Sequence, residues 1–137
     1  MDEPINLVLF SGTDDKLQAA AVLTAGAAAL GKPVNIFLQY WALAAFRADR
    51  IGADHGLAPE AGSAGRTAVD DLTAAGQASW ADTLRLAKEL GGVDIQACSL
   101  SMDLLKLESG DLDPLVDGVE GVTSFFLNAG EGQLVFI

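Results

Sequence analysis

Four short, mainly apolar runs along the chain predict four β-strands. Residues 5–10 and 34–38 are almost continuously apolar, residues 133–137 end the chain with a similar run, and residues 93–98 alternate between apolar and polar side chains. Continuous runs of this length are typical of strands that a parallel sheet buries on both faces. The pattern therefore predicts a sheet that is mainly parallel.

Helical periodicity fills the segments between these strands. Apolar residues recur there at three- and four-residue spacing, and glycine, proline or a capping serine marks the ends. The predicted helices cover residues 14–30, 42–46, 67–75, 80–90, 99–107 and 122–129. Strands that alternate with helices are joined by right-handed crossovers. We therefore expect one α/β domain over residues 1–137, a flavodoxin-like three-layer sandwich.

Residues 50–78 interrupt this pattern. Glycine, alanine, aspartate and serine dominate the segment, and only residues 67–75 suggest a helix, with Thr67 and Asp70 spaced as a capping box. A long irregular segment in a compact domain is usually functional or mobile. We expect residues 50–78 to form an irregular loop or lid over the carboxyl ends of the strands.

The composition predicts self-association. Half of the residues are hydrophobic, and the mean hydropathy of +0.32 is high for a small soluble monomer. Because a domain of this length has a limited interior, part of the apolar surface is expected to be buried between subunits. We therefore expect a homo-oligomer.

The charge balance narrows the range of partners. The chain has 8 basic and 19 acidic residues, a net charge of −11, and such a field repels the phosphate backbone of nucleic acids. The longest apolar stretch, residues 19–30, is too short to span a bilayer. The acidic start, residues 1–4, matches no cleavable signal. We expect a cytoplasmic protein without a nucleic-acid or membrane partner.

The chain contains one cysteine, Cys98, and one histidine, His55. A disulfide within the chain and a cysteine-based zinc cluster are therefore excluded. Neither a glycine-rich dinucleotide motif nor a phosphate-binding P-loop is present. We expect no metal and no cofactor.

Cys98 is the best candidate for a chemical centre. It ends a predicted strand just before a helix, and ligands of open α/β sheets bind beyond the carboxyl ends of the strands. Ser99 or Ser101 can cap the helix, and its amides and dipole would favour a thiolate on an open rim. The alternative interpretation is a buried cysteine that acts as a small hydrophobic side chain.

The Ser11-Gly12-Thr13 turn follows the first strand and should lie on the same rim. Its amides and hydroxyls, with Ser99 and Ser101, form a candidate anion site at a helix start. The alternative is ordinary helix capping. Tyr40 and Trp41 could wall the crevice or pack in the core or an interface, and we expect a solvated loop position for His55.

The stretch ACSLSMDLL at residues 97–105 resembles the DsrE/DsrF-like superfamily, and most closely its DsrE2-type branch, in which some members are labelled peroxiredoxin-like. Residues 11–17 and 117–123 extend the similarity. The resemblance implies that Cys98 accepts sulfane sulfur as a persulfide or thiosulfonate. It also implies relay to a small TusA-type sulfur carrier, and oligomerisation. Unlike several relatives, this chain has no second cysteine. Some DsrE2-type relatives carry a membrane anchor, and we expect none here.

Two functional hypotheses remain open. The first is a sulfur carrier, with a possible sulfurtransferase activity, that acts through Cys98. The second is a non-catalytic binding or scaffold subunit that uses the same crevice for a small anion. The accessibility of Cys98 distinguishes them, because a buried sulfur with apolar walls favours the scaffold.

Overall fold

A computed structural model describes residues 3–137 as a single parallel sheet with helices on both faces. The strands are β1 (Ile5–Leu9), β2 (Val34–Leu38), β3 (Val93–Cys98), β4 (Gly118–Glu120) and β5 (Gln133–Phe136). They lie in the order β4-β3-β2-β1-β5, and every neighbouring pair is parallel. The predicted flavodoxin-like α/β class is confirmed. Residues 1 and 2, part of the acidic start, lie outside the described residues.

The helices form the two outer layers. They are α1 (Asp14–Ala29), α2 (Tyr40–Ala45), α3 (Gly62–Ala74), α4 (Trp80–Leu90), α5 (Ser99–Leu105) and α6 (Val122–Ala129). α1 and α4 cover one face of the sheet, where their buried alanines and leucines pack with Leu7, Ile36 and Ile95. α6 lies on the other face, where Phe125 packs with Val8 and Phe37. Among the described residues, no helix has both the length and the hydropathy that a bilayer span requires.

A buried asparagine ties α6 and β5 to the centre of the sheet. Asn6 is fully buried, and its Nδ2 donates to the carbonyls of Ala129 at 3.2 Å and Gln133 at 3.3 Å. Its Oδ1 accepts from Asn35 Nδ2 at 3.0 Å. A buried amide without partners would be costly, so this network fixes where α6 ends and β5 begins.

Residues 50–78 are more regular than expected. The helix α3 begins at Gly62 rather than Thr67, and none of its residues is buried. The predicted capping box at Thr67 is wrong, because this residue lies inside the helix and its hydroxyl donates to the Ser63 carbonyl. Residues 50–58 are attached to the start of α1 through hydrogen bonds to Asp14 and Asp15. Mobility of the segment stays a prediction.

The strand β4 was not predicted from the sequence. It has three residues, Gly-Val-Glu, and pairs in register with residues 96–98 of β3. Such a short edge strand has neither an apolar run nor a clear alternation to mark it. The other four strands agree with the predicted ones to within one residue at each end.

The part of the chain from β4 to β5 leaves large apolar side chains in solvent. They include Val119, Val122, Phe126, Leu127, Leu134 and Phe136, and Leu127 is 79% exposed. Exposed apolar surface of this kind is typical of an interaction site.

We expect the protein to be a homo-oligomer that buries this surface. Light scattering at micromolar concentration should give a multiple of the 14.1 kDa chain mass. Leu127→Glu should shift the distribution toward smaller species, because a carboxylate would have to be desolvated in the interface. Leu23→Glu, at a half-exposed position on α1, is the control. A wild-type protein that is purely monomeric would contradict the prediction.

Candidate functional site

The carboxyl ends of the three central strands meet at one edge of the sheet. Leu9, Leu38 and Ala97 lie side by side in the strand register. The strand order reverses at β1, because β2, β3 and β4 follow one another on one side while β5 returns to the other. In open α/β sheets, ligands bind outside the carboxyl ends at such a reversal point. The turn after β1 therefore occupies the favoured position for a site.

Cys98 lies under α6 rather than on an open rim. Its side chain is 5% exposed and packs with Val8, Phe37 and Phe125. The rings of Phe37 and Phe125 are stacked, with centroids 4.8 Å apart and planes 14° apart. Successive side chains of a strand point to opposite faces, so Cys98 faces away from the core that holds Ala97 and toward α6. The expectation of an open thiol is therefore wrong for this conformation.

Neither serine after Cys98 caps the helix that follows. Cys98 itself is the N-cap of α5, and no side chain caps that helix end. Ser99 is exposed, whereas Ser101 is 1% exposed and its hydroxyl accepts from the Tyr40 amide at 3.0 Å. Tyr40 has a φ of +45°, which bulky residues rarely adopt. Ser101 therefore holds the start of α2 in an unusual conformation.

The Ser11-Gly12-Thr13 turn packs closely against α2. A Cβ atom placed on Gly12 would lie 2.3 Å from the Trp41 carbonyl oxygen, so glycine alone fits there. The hydroxyls of Ser11 and Thr13 are 3.4 Å apart. Within residues 3–137, the amides of Gly12 and Thr13 donate to no acceptor. The turn thus presents two free N–H groups at the start of α1.

A cleft of 390 Å³ lies over this turn. Its walls include Ser11, Gly12, Thr13, Trp41, Arg50, Asp54 and His55. The expectation of a solvated His55 is wrong at one atom, because Nε2 is buried and has no hydrogen-bond partner in the described part of the chain. Cys98, Ser99 and Ser101 do not line the cleft. The residues predicted as one site therefore occupy two places.

Sequence reasoning did not single out Arg50. The residue follows the short helix α2 by five positions, in a segment without periodicity that could place it. Only the return of residues 50–58 to the start of α1 brings Arg50 and His55 to the turn. The one sequence feature that indicated a cleft beside this turn was the position of Trp41, which follows β2 at the same edge of the sheet.

Comparison with known proteins identifies the family. A sequence model of the DsrE/DsrF/DrsH-like family matches residues 1–56. The chain is also 30% identical, over 149 aligned positions, to the uncharacterized protein YrkE of Bacillus subtilis (strain 168), and the alignment covers 93% of this chain and 92% of YrkE. The chain belongs to the DsrE/DsrF/DrsH-like family. The part of this DsrE/DsrF/DrsH-like chain that matches the family model contains the Ser11-Gly12-Thr13 turn and ends before Cys98.

A solved structure shows the same fold. The DsrE/DsrF/DrsH-like chain superimposes on MTH1491 from Methanobacterium thermoautotrophicum, a protein of unknown function, with a TM-score of 0.61. The sequence identity is 14%, and the superposition covers 99% of this chain and 100% of MTH1491. At this identity the likeness concerns the fold alone.

Gly12→Ala tests the close approach at the cleft of this DsrE/DsrF/DrsH-like protein. The added methyl group would collide with backbone rather than with a flexible side chain, so we expect a loss of about 1–3 kcal/mol in the free energy of unfolding. Urea denaturation followed by circular dichroism measures it. Gly52→Ala is the matched control, because nothing lies near its added Cβ. Equal stabilities of the two variants would contradict the geometry.

Proposed function

We propose that this chain is a sulfur-relay protein in which Cys98 accepts sulfane sulfur as a persulfide or thiosulfonate. The observation that carries the proposal is the position of the sole cysteine, at the carboxyl end of β3, one of the three central strands, and directly before α5. Membership of the DsrE/DsrF/DrsH-like family supports a role in sulfur handling. This chemistry requires Cys98 to be a reduced thiol before each transfer, and the cytoplasm is the compartment that keeps thiols reduced.

The chemistry requires only the cysteine and a sulfur donor. With thiosulfate, the Cys98 thiolate attacks the outer sulfur, the sulfur–sulfur bond of the donor breaks, and sulfite leaves with the bonding electron pair. With tetrathionate, the thiolate attacks a central sulfur and thiosulfate leaves, so the cysteine carries a thiosulfonate. Both steps follow thiolate–sulfur exchange. With no second cysteine in the chain, the sulfur must leave to another molecule, for which a small TusA-type carrier is the proposed acceptor.

The burial of Cys98 adds a conformational step to this proposal. Val8, Phe37 and Phe125 surround the sulfur, so a donor reaches it only when α6 moves. The closed apolar pocket suits a persulfide, which adds one sulfur atom, better than a sulfonate, whose charge would be desolvated there. Closure would also protect bound sulfur from oxidation between acceptance and delivery.

Intact-mass spectrometry tests sulfur acceptance. After incubation with polysulfide or thiosulfate we expect a gain of about 32 Da, and after tetrathionate a gain of about 112 Da, the masses of one sulfur and of a thiosulfonate group. A reductant should reverse both, and Cys98→Ser should abolish both. A wild-type protein that stays unmodified by every donor would contradict the proposal.

A second candidate is favoured by the same burial. A cysteine that is 5% exposed among apolar side chains is what a non-catalytic binding or scaffold subunit would contain, because such a thiol contributes only packing. In that case the protein would act through surface contacts or through the cleft beside the first turn.

Phe125→Ala tests whether this ring limits access to Cys98. Removal of the ring that covers Cys98 should raise the rate at which iodoacetamide alkylates the folded protein about tenfold or more. A decrease of about 1.4 kcal/mol in the free energy of the local opening that exposes Cys98 is enough for a tenfold change. Leu72→Ala is the control, because Leu72 is 54% exposed on α3, far along the chain from the side chains that surround Cys98 and outside the apolar surface between β4 and β5. Circular dichroism and light scattering check fold and oligomeric state.

The relay requires the wild-type thiol to react slowly but measurably and the Phe125→Ala thiol to react faster. A wild-type thiol that resists alkylation while folded, together with no sulfur uptake, would establish Cys98 as a packing residue and favour the scaffold.

A further inference from the structure

The cleft at the first turn is chemically independent of Cys98. It lies at the carboxyl end of β1, where the strand order reverses, whereas Cys98 ends β3 and faces α6. Its volume of 390 Å³ falls within the range of about 300–1,000 Å³ that small-molecule sites occupy.

Unused hydrogen-bond donors converge on this cleft. The amides of Gly12 and Thr13 have no acceptor among the described residues, and Arg50 forms no ion pair within that part of the chain. The buried Nε2 of His55 also lacks a partner there. A ligand that accepts hydrogen bonds would satisfy the free amides and Arg50. With a small movement of the His55 ring it would also accept from the Nε2–H tautomer of His55, which otherwise stays buried without a partner.

The nearby carboxylates are committed to other partners. A hydrogen bond from the Gly56 amide, followed by the charge of Arg66, lowers the pKa of Asp54. Partial burial raises the pKa of Asp15, but hydrogen bonds from the Thr13 hydroxyl and the Ala58 amide outweigh burial, and the pKa lies below its usual value. Asp54 is itself part of the cleft wall, where its negative charge opposes an anion. Its Oδ1 accepts from the Gly56 amide and lies 3.5 Å from Arg66 Nη1, and this ion pair offsets the charge.

One wall of the cleft is apolar. Trp41 is 55% exposed although its large ring would gain from burial, and Ala44 and Ala45 stand beside it in the lining. An inorganic ion would fill only the polar end and leave this wall in water. A ligand with an apolar body would cover it.

We propose that the cleft binds a small organic anion. Its carboxylate or sulfonate head would lie at the amides of Gly12 and Thr13 and beside Arg50, and its apolar body would lie against Trp41. Backbone amides at the start of a helix and an arginine are the groups that proteins use for oxyanions. The proposal does not depend on sulfur acceptance by Cys98, and either can fail alone.

Titration with benzenesulfonate, followed by ¹H–¹⁵N correlation spectra of the full chain, tests the site. We expect the amide signals of Gly12, Thr13 and His55 to shift in a saturable manner. Arg50→Gln should weaken binding by about tenfold, the loss typical of a charge-assisted hydrogen bond. Arg47→Gln is the matched control, because this neighbouring exposed arginine pairs with Asp49 and does not line the cleft.

Two further probes test the charge and the apolar body of the ligand separately. Benzyl alcohol has the apolar body without the charge, and sulfate has the charge without the body. Weaker binding of both than of benzenesulfonate supports the proposal. Sulfate that binds as tightly overturns the apolar contact with Trp41, and benzyl alcohol that binds as tightly overturns the anion preference. The absence of saturable shifts at millimolar benzenesulfonate, or equal binding by the Arg50→Gln variant, would overturn the site.

Discussion

The side chain of Asp14 holds three separate parts of the chain together at the start of α1. One carboxylate oxygen accepts from the indole of Trp80 on α4 at 2.9 Å, and the other accepts from the His55 amide at 2.9 Å. The Asp14 amide donates to the Gly56 carbonyl. Together with the hydrogen bond from the Ala58 amide to Asp15, these bonds fix the loop after α2 and so place the cleft residues that the loop contributes.

The two faces of the sheet differ in the interactions that attach the helices to them. α1 and α4 pack through small and medium apolar side chains into one continuous core, where contact area supplies the stability. The opposite face has a smaller cluster around Phe125 and a hydrogen-bonded asparagine pair, Asn6 and Asn35. Cys98 lies on this second face, so its accessibility depends on α6 rather than on the main core.

The pattern of apolar residues was sufficient for the strands and for most helices, because periodicity records which side chains are buried. It could not tell which element covers a buried face. Cys98 was placed correctly at the end of β3, but its cover by Phe125 is a contact between residues far apart in sequence. The buried bond between Ser101 and Tyr40 and the return of His55 to Asp14 were hidden for the same reason.

The pairing of β1 with β5 determines how much of the sheet can form while the chain is still being translated. Ile5 pairs with Gln133, and the amides of Phe10 and Ser11 both donate to the Ile137 carbonyl. During translation, β1 can join β2 early, but its other edge has no strand to pair with until residues 133–137 leave the ribosome. The turn that forms the cleft is therefore held on one side only in the nascent chain. We therefore expect full affinity for a ligand of this turn only after residues 133–137 have been synthesised and paired with β1.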